Sequence, residues 1–160
     1  MGGTGTEKTI YRKKTRELLM RLIFQMSATG VFSDAAKDAF LADTSLYLGN
    51  VSEDEPLGCI FDENARESPD LAYFNHAFLC VRDNLSEIDA VLAEASKGWA
   101  VQRMGTAELS IMRVAAAEIL YMEEIDASVS VNEAVLMAKK YGSEKSASFI
   151  NGVLGAVTRS

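Results

Sequence analysis

The chain of 160 residues is 48% hydrophobic, which is enough to build the core of one domain or of two small packed subdomains. Two distant cysteines argue against a disulfide framework and fit a reducing cytoplasm, and no apolar run reaches the ~18 residues that span a membrane. The net charge of −7 is uneven, because residues 7–21 carry +4 and the remainder −11. This basic arm either contacts phosphate or is a solvated helix face, and the acidic remainder suits a basic partner.

Helical periodicity and the presence of only two prolines predict an all-α fold of about seven helices. Residues 1–8 are predicted to be a flexible leader. The first helix covers about 9–29, where leucines recur at helical spacing, and Gly30 ends it. Ser33 is expected to cap a second helix that ends near residues 49–50. An acidic connection over residues 50–68 follows, with an apolar pin at residues 59–61.

The later helices are predicted from their capping residues. Ser68–Pro69 starts the third helix, and Ser86 with Asp89 resembles a capping box for the fourth. Thr106 caps the fifth helix, in which Arg113 is expected to pair with Glu118, Glu133 or another internal carboxylate. Ser130 and Glu133 form a capping box for the sixth helix, Gly142 ends it in a left-handed conformation, and the seventh starts near residue 143.

Catalytic chemistry is not indicated. His76 is the only histidine, so schemes that need paired histidines as general bases or metal ligands fail. The sequence has neither a Walker loop nor a GxGxxG motif. We therefore predict a protein that is not an enzyme and has no catalytic residue, metal or cofactor. The single tryptophan, Trp99, is interpreted as a packing anchor at a helix junction.

The first helix carries the best candidate binding surface. At ~100° per residue, Lys13, Glu17, Met20 and Phe24 share a stripe roughly opposite the leucine face. Cations bind phosphates and an aromatic ring can stack on an unpaired base, so this combination suits single-stranded RNA. Alternatively, the helix is buried on two sides and Phe24 belongs to the core. Phe149 presents the same choice between a core position and a stacking position beside Lys145.

Several motifs resemble those of the NusB family of bacterial transcription antitermination factors. The similar stretches are an arginine-rich opening, a leucine–arginine helix with a following glutamate, an asparagine–glutamate–alanine helix and a closing motif. They correspond to residues 12–17, residues 109–115 with Glu118, residues 131–142, and Ser146 with residues 149–154. The chain is identified from these motifs as a member of that family.

The resemblance implies one non-catalytic, RNA-binding domain of two packed helical bundles, covering about residues 9–68 and 69–158. It implies binding of boxA RNA from ribosomal RNA transcripts together with the ribosomal protein NusE. Contact with the RNA polymerase elongation complex is implied through other Nus factors. The RNA-binding candidates are Arg12, Lys13, Lys14, Arg16, Phe24, Lys145 and Phe149. The candidates for contact with the partner protein are Tyr73, Phe74 and Glu108.

One departure from the family pattern concerns charge, because Lys145 stands where an acidic residue is common. This change is expected to strengthen phosphate binding. The alternative function is a protein-binding helical module, or a homodimer, that makes no direct RNA contact. The sequence leaves the choice between monomer and dimer open.

Overall fold

The computed structural model of the protein describes residues 9–52, 54, 58–97 and 99–159. The predicted leader therefore lies outside the described residues. The first helix, α1, spans Arg12–Thr29. It ends at Gly30, whose φ of 75° is the predicted left-handed conformation. The predicted apolar stripe is buried, and it consists of Leu18, Leu19, Leu22, Ile23 and Met26. Met20, which we expected on the outer stripe, is buried as well.

A short strand precedes α1. This strand, β1 (Thr9–Tyr11), runs parallel to a later strand, β4 (Glu67–Pro69), with Ile10 opposite Ser68. A second parallel ladder joins β2 (Leu48–Gly49) to β3 (Phe61–Asp62). The predicted helix starts at residue 9 and at Ser68–Pro69 are therefore wrong, because these residues pair with each other as strands. The fold remains mostly helical.

The second helix, α2 (Asp34–Ala42), begins as predicted, because the Ser33 hydroxyl accepts a hydrogen bond from the Ala36 N–H at 3.1 Å. It ends earlier than expected, and a 3₁₀ turn at Thr44–Leu46 follows. The apolar pin is confirmed at its two larger residues, since Ile60 and Phe61 are both buried.

Helices α3 (Leu71–Asp83) and α4 (Leu85–Ala95) follow, and a 3₁₀ turn at Val101–Arg103 leads to the next helix. Asp70 caps α3 by accepting a hydrogen bond from the Tyr73 N–H at 3.2 Å. The capping box proposed for α4 is wrong, because that helix already begins at Leu85.

Helix α5 (Thr106–Tyr121) is the centre of the molecule and packs against α1, α3, α4, α6 (Ala127–Tyr141) and α7 (Glu144–Arg159). Residues 109–118 are all buried, and such a helix, covered on every side, is not amphipathic. Its run of three alanines, residues 115–117, lets neighbouring helices approach closely. The internal partner of Arg113 is a carboxylate of α4, Asp89, at 2.8 Å.

The ends of α6 differ from the prediction. The helix begins at Ala127, so Ser130 lies within its second turn and is buried instead of capping the helix. Gly142 has a φ of −131°, which is not left-handed. A Cβ at this position would lie 3.0 Å from both the Ala138 carbonyl oxygen and the Ser146 hydroxyl oxygen, so close packing favours glycine here. Among the described helices, none is long and apolar enough to cross a membrane.

Candidate nucleic-acid interface

Three of the predicted RNA-binding cations lie at the surface at the start of α1. Each forms an ion pair with a carboxylate from a distant part of the chain. The pairs are Arg12–Asp70 at 3.4 Å, Lys13–Glu133 at 3.1 Å, and Lys14–Glu67. The side chain of Lys13 is 65% exposed and that of Arg12 48%. Because exposed pairs stabilise by only about 0–1 kcal/mol, a phosphate group can compete with the carboxylates bound to Arg12 and Lys13. The Lys14–Glu67 pair is part-buried.

Arg16, the fourth predicted cation, is not at the surface. Only 5% of the residue is exposed, and its Nε donates to the Glu118 carboxylate at 2.7 Å. Burial opposes the charged guanidinium, but the hydrogen bond and charge of Glu118 outweigh it, so the pKa of Arg16 is raised. The prediction that Arg16 contacts RNA is therefore corrected to a structural role in the core.

The Glu118 carboxylate is shared by three donors. Besides Arg16, the Tyr73 hydroxyl donates to Oε2, and the Ser130 hydroxyl donates to Oε1 at 2.8 Å. Burial and the neighbouring Glu118 raise the pKa of Tyr73 well above its ordinary value, so Tyr73 remains a neutral donor. The carboxylate thereby links α1, α3, α5 and α6.

Two predicted partner contacts are corrected by the same geometry. Tyr73 and Phe74 are buried, so neither side chain is available to another protein in this structure. Tyr73 also contacts Glu118, which lies ten residues, or roughly 15 Å along α5, from Glu108. The three residues predicted to form one partner surface are therefore not together. Glu108 is half-buried and accepts a hydrogen bond from the Ser146 hydroxyl at 2.9 Å.

Phe24 lies at the surface and is therefore not a core residue. It is 41% exposed and lines an open groove of about 510 Å³ between α1, the start of α5 and the end of α6. Arg21 and Tyr141 form one wall, where the arginine Nε donates to the tyrosine hydroxyl at 3.1 Å. We call this the first groove; its described lining residues are Met20, Arg21, Phe24, Gln25, Ala107 and Tyr141.

A second groove, of about 290 Å³, contains three other predicted residues, namely Glu108, Lys145 and Phe149. Its other lining residues include Trp99 and Arg103, which sequence reasoning did not place at a binding site. The Trp99 ring meets the half-buried Phe149 ring edge to face, with centroids 5.9 Å apart. Trp99 is thus more than a packing anchor, since 53% of it is exposed.

The two grooves flank the start of α5. Ala107 lines the first and Glu108 lines the second, while Tyr141 and Ser143 occupy the corresponding positions at the α6–α7 turn. Among the described residues, no group of three or more His, Cys, Asp or Glu side chains could hold a metal ion. The described surface offers exposed cations, exposed aromatic rings and open grooves.

The sequence profile of the NusB family matches residues 13–159, which is most of the chain. The chain belongs to the NusB family. The transcription antitermination protein NusB of Clostridium botulinum strain Loch Maree is 36% identical over 90% of this chain and 96% of its own length. The NusB protein of Lachnoclostridium phytofermentans is 48% identical over 53% of this chain and 64% of its own length.

Solved structures of NusB proteins share the fold. A crystal form of T. maritima NusB superposes with a TM-score of 0.69 and 23% identity, covering 96% of this chain and 93% of that one. A crystal structure of the antitermination factors NusB and NusE with double-stranded RNA gives a TM-score of 0.68 and 18% identity, covering 92% and 95%. At these identities the likeness concerns the fold alone.

Proposed function

We propose that this protein is a transcription antitermination factor that binds boxA-type single-stranded RNA of ribosomal RNA transcripts together with the ribosomal protein NusE. Membership of the NusB family supports a role in transcription antitermination. The observation that carries RNA binding is the exposed ring of Phe24, which lies in an open groove on the same helix as two exposed cations, Arg12 and Lys13, and the half-buried Lys14. This function places the protein in the cytoplasm.

In this proposal the cations and the rings have different tasks. Arg12, Lys13 and Lys14 contact phosphates, and the release of counterions from the RNA favours the complex. Phe24 stacks on an unpaired base, which contributes about 1–3 kcal/mol per base in other single-strand binding proteins. Lys145 and Phe149 provide the same pair of contacts in the second groove.

The protein partner is recognised by charge. Outside residues 7–21 the chain carries a net charge of −11, which suits a basic ribosomal protein and speeds the encounter of the two. Glu108 stays a predicted contact for this partner, although its carboxylate is already bound to Ser146. Contact with the RNA polymerase elongation complex then passes through other Nus factors.

The test is a gel-shift assay with a short boxA RNA, with and without NusE. Phe24→Ala should lower RNA affinity by about 5- to 100-fold, as expected for the loss of one stacked base, whereas Phe24→Tyr should retain binding. Leu79→Ala is a matched control, because Leu79 has a similar exposed fraction, 39%, on α3. It should leave the shift unchanged.

The same assay distinguishes the alternative function from the proposed RNA-binding function. A protein-binding module, or a homodimer that covers this face, would bind NusE or itself without shifting the RNA. Equal RNA affinity for Phe24→Ala and the unaltered protein would remove Phe24 from the interface. Failure of the unaltered protein to shift the RNA, alone and with NusE, would reject the proposed function.

A further inference from the structure

The exposure of Trp99 is unusual for a side chain with so much apolar area. Its ring makes a T-shaped contact with the Phe149 ring, and its backbone is fixed because the Ser96 hydroxyl donates to the Trp99 carbonyl oxygen at 3.0 Å. The indole is therefore positioned from two sides, while 53% of the residue still faces solvent. A fixed, exposed aromatic plane can bind another flat ring with little loss of conformational entropy.

The cations beside Trp99 differ from those of α1. Arg103 and Lys145 are exposed and line the same groove, and neither forms an ion pair or a cation–π contact with any described residue. Phosphate binding at these two side chains therefore displaces no described carboxylate. The carboxylate present in the groove, Glu108, is engaged by Ser146.

The charge of the groove also decides the class of ligand. Arg103 and Lys145 outnumber Glu108, the carboxylate that lines the groove, so the net charge favours a polyanion over a basic protein beside Trp99. The groove adjoins the first groove across the start of α5, so one strand of RNA can pass from Phe24 to Trp99. An aromatic plane with flanking cations is the usual arrangement for single-stranded nucleic acid.

We propose that Trp99 is a second stacking residue of the RNA site, on which an unpaired base lies while Arg103 and Lys145 contact the flanking phosphates. This inference rests on the proposed function and extends it to two residues, Trp99 and Arg103. Phe149 acts as a positioning residue here, because its ring supports the indole from the edge.

The chain contains its own reporter for this proposal, since Trp99 is the only tryptophan. Titration with a short single-stranded boxA RNA should quench the intrinsic fluorescence, because a base stacked on the indole quenches it. An abasic ribose-phosphate oligomer of the same length carries the charge without the bases and should bind weakly with little quenching. The fluorescence anisotropy of labelled RNA measures binding independently of the tryptophan signal.

Variants complete the test. Trp99→Ala should lower affinity for the RNA about 5- to 100-fold, and Trp99→Phe should recover most of it, because the ring and not the indole N–H provides stacking. Leu79→Ala again serves as the control. Circular dichroism and thermal unfolding of Trp99→Ala should match the unaltered protein, which separates lost stacking from lost folding.

Each adverse outcome is distinct. If anisotropy reports RNA binding but the fluorescence is unchanged and Trp99→Ala binds equally, Trp99 is not in the site and the proposed function stands. Equal quenching by the abasic oligomer would show that only charge is read at this groove. A fluorescence change on adding NusE without RNA would assign Trp99 to the protein partner. Absence of any RNA binding would overturn the proposed function itself.

Discussion

The two cationic regions of this protein differ in how their charges are balanced. At the start of α1, Arg12, Lys13 and Lys14 each face a carboxylate supplied by another element. In the second groove, Arg103 and Lys145 form no ion pair with any described carboxylate, although Glu108 lines the same groove. The difference shows that a count of basic residues does not tell which cations are already paired with a carboxylate. The charge that a phosphate meets depends on the neighbours of each cation.

The largest expected difference between the two regions concerns stability. Arg16→Ala should lower the free energy of unfolding by about 3–5 kcal/mol, because it leaves the buried Glu118 carboxylate without its cation. Arg103→Ala should change it by no more than about 0.5 kcal/mol, because the side chain is exposed. Urea denaturation of both variants measures this. Similar losses for the two arginines would contradict the assignment of Arg16 to the core.

A second prediction concerns the salt dependence of RNA binding. The double variant Arg103→Ala/Lys145→Ala should reduce the slope of log affinity against log salt by about 1.4, since each phosphate contact on a single strand contributes ~0.7. Lys13→Ala/Lys14→Ala should reduce it less. When RNA displaces a carboxylate from a lysine, that carboxylate takes up a cation from solution. This uptake offsets part of the counterion release from the RNA.

The measurement for this comparison is RNA affinity at several salt concentrations for both double variants and the unaltered protein. Equal changes in slope would mean that the carboxylates near α1 do not compete with RNA. A smaller change for the second-groove variant would show that Arg103 and Lys145 lie away from the phosphates.

The smallest expected effect follows from freeing one cation. Glu133→Gln removes the partner of Lys13 and should raise RNA affinity by up to about fivefold, because an exposed ion pair is worth up to ~1 kcal/mol. It should also steepen the salt dependence. Glu123→Gln is a control with the same change of net charge, since Glu123 is exposed and forms no ion pair with any described residue. An equal gain in both variants would indicate a long-range charge effect only.

Some features that depend on neighbouring residues could be predicted from the sequence, although several predicted helix ends were wrong. The seven helices of the described residues, the Gly30 end of α1, the Ser33 cap and the buried stripe of α1 follow from local spacing and conformation, and the structure confirms them. The family resemblance is confirmed as well. The division into two bundles near residues 68 and 69 stays a prediction.

Features that depend on distant residues could not be predicted. Arg16 has the same local sequence context as the exposed cations, and only Glu118, 102 residues away, decides its place in the core. Ser130 fits a capping pattern with Glu133, yet its hydroxyl binds Glu118 on another helix. Trp99 gives no sign of its exposure in the sequence, because a lone tryptophan is usually a packing residue.

The shared Glu118 carboxylate has a consequence for how the protein meets its ligand. One buried acid on α5 holds side chains from three other helices, so α1 is tied through Arg16 to the same carboxylate that holds α3 and α6. Amide protons of these helices should therefore exchange with solvent together, through a common opening of the domain. If RNA binds α1 as proposed, the side chains there are carried on a frame already held by this carboxylate, and we expect association to require little rearrangement of the protein.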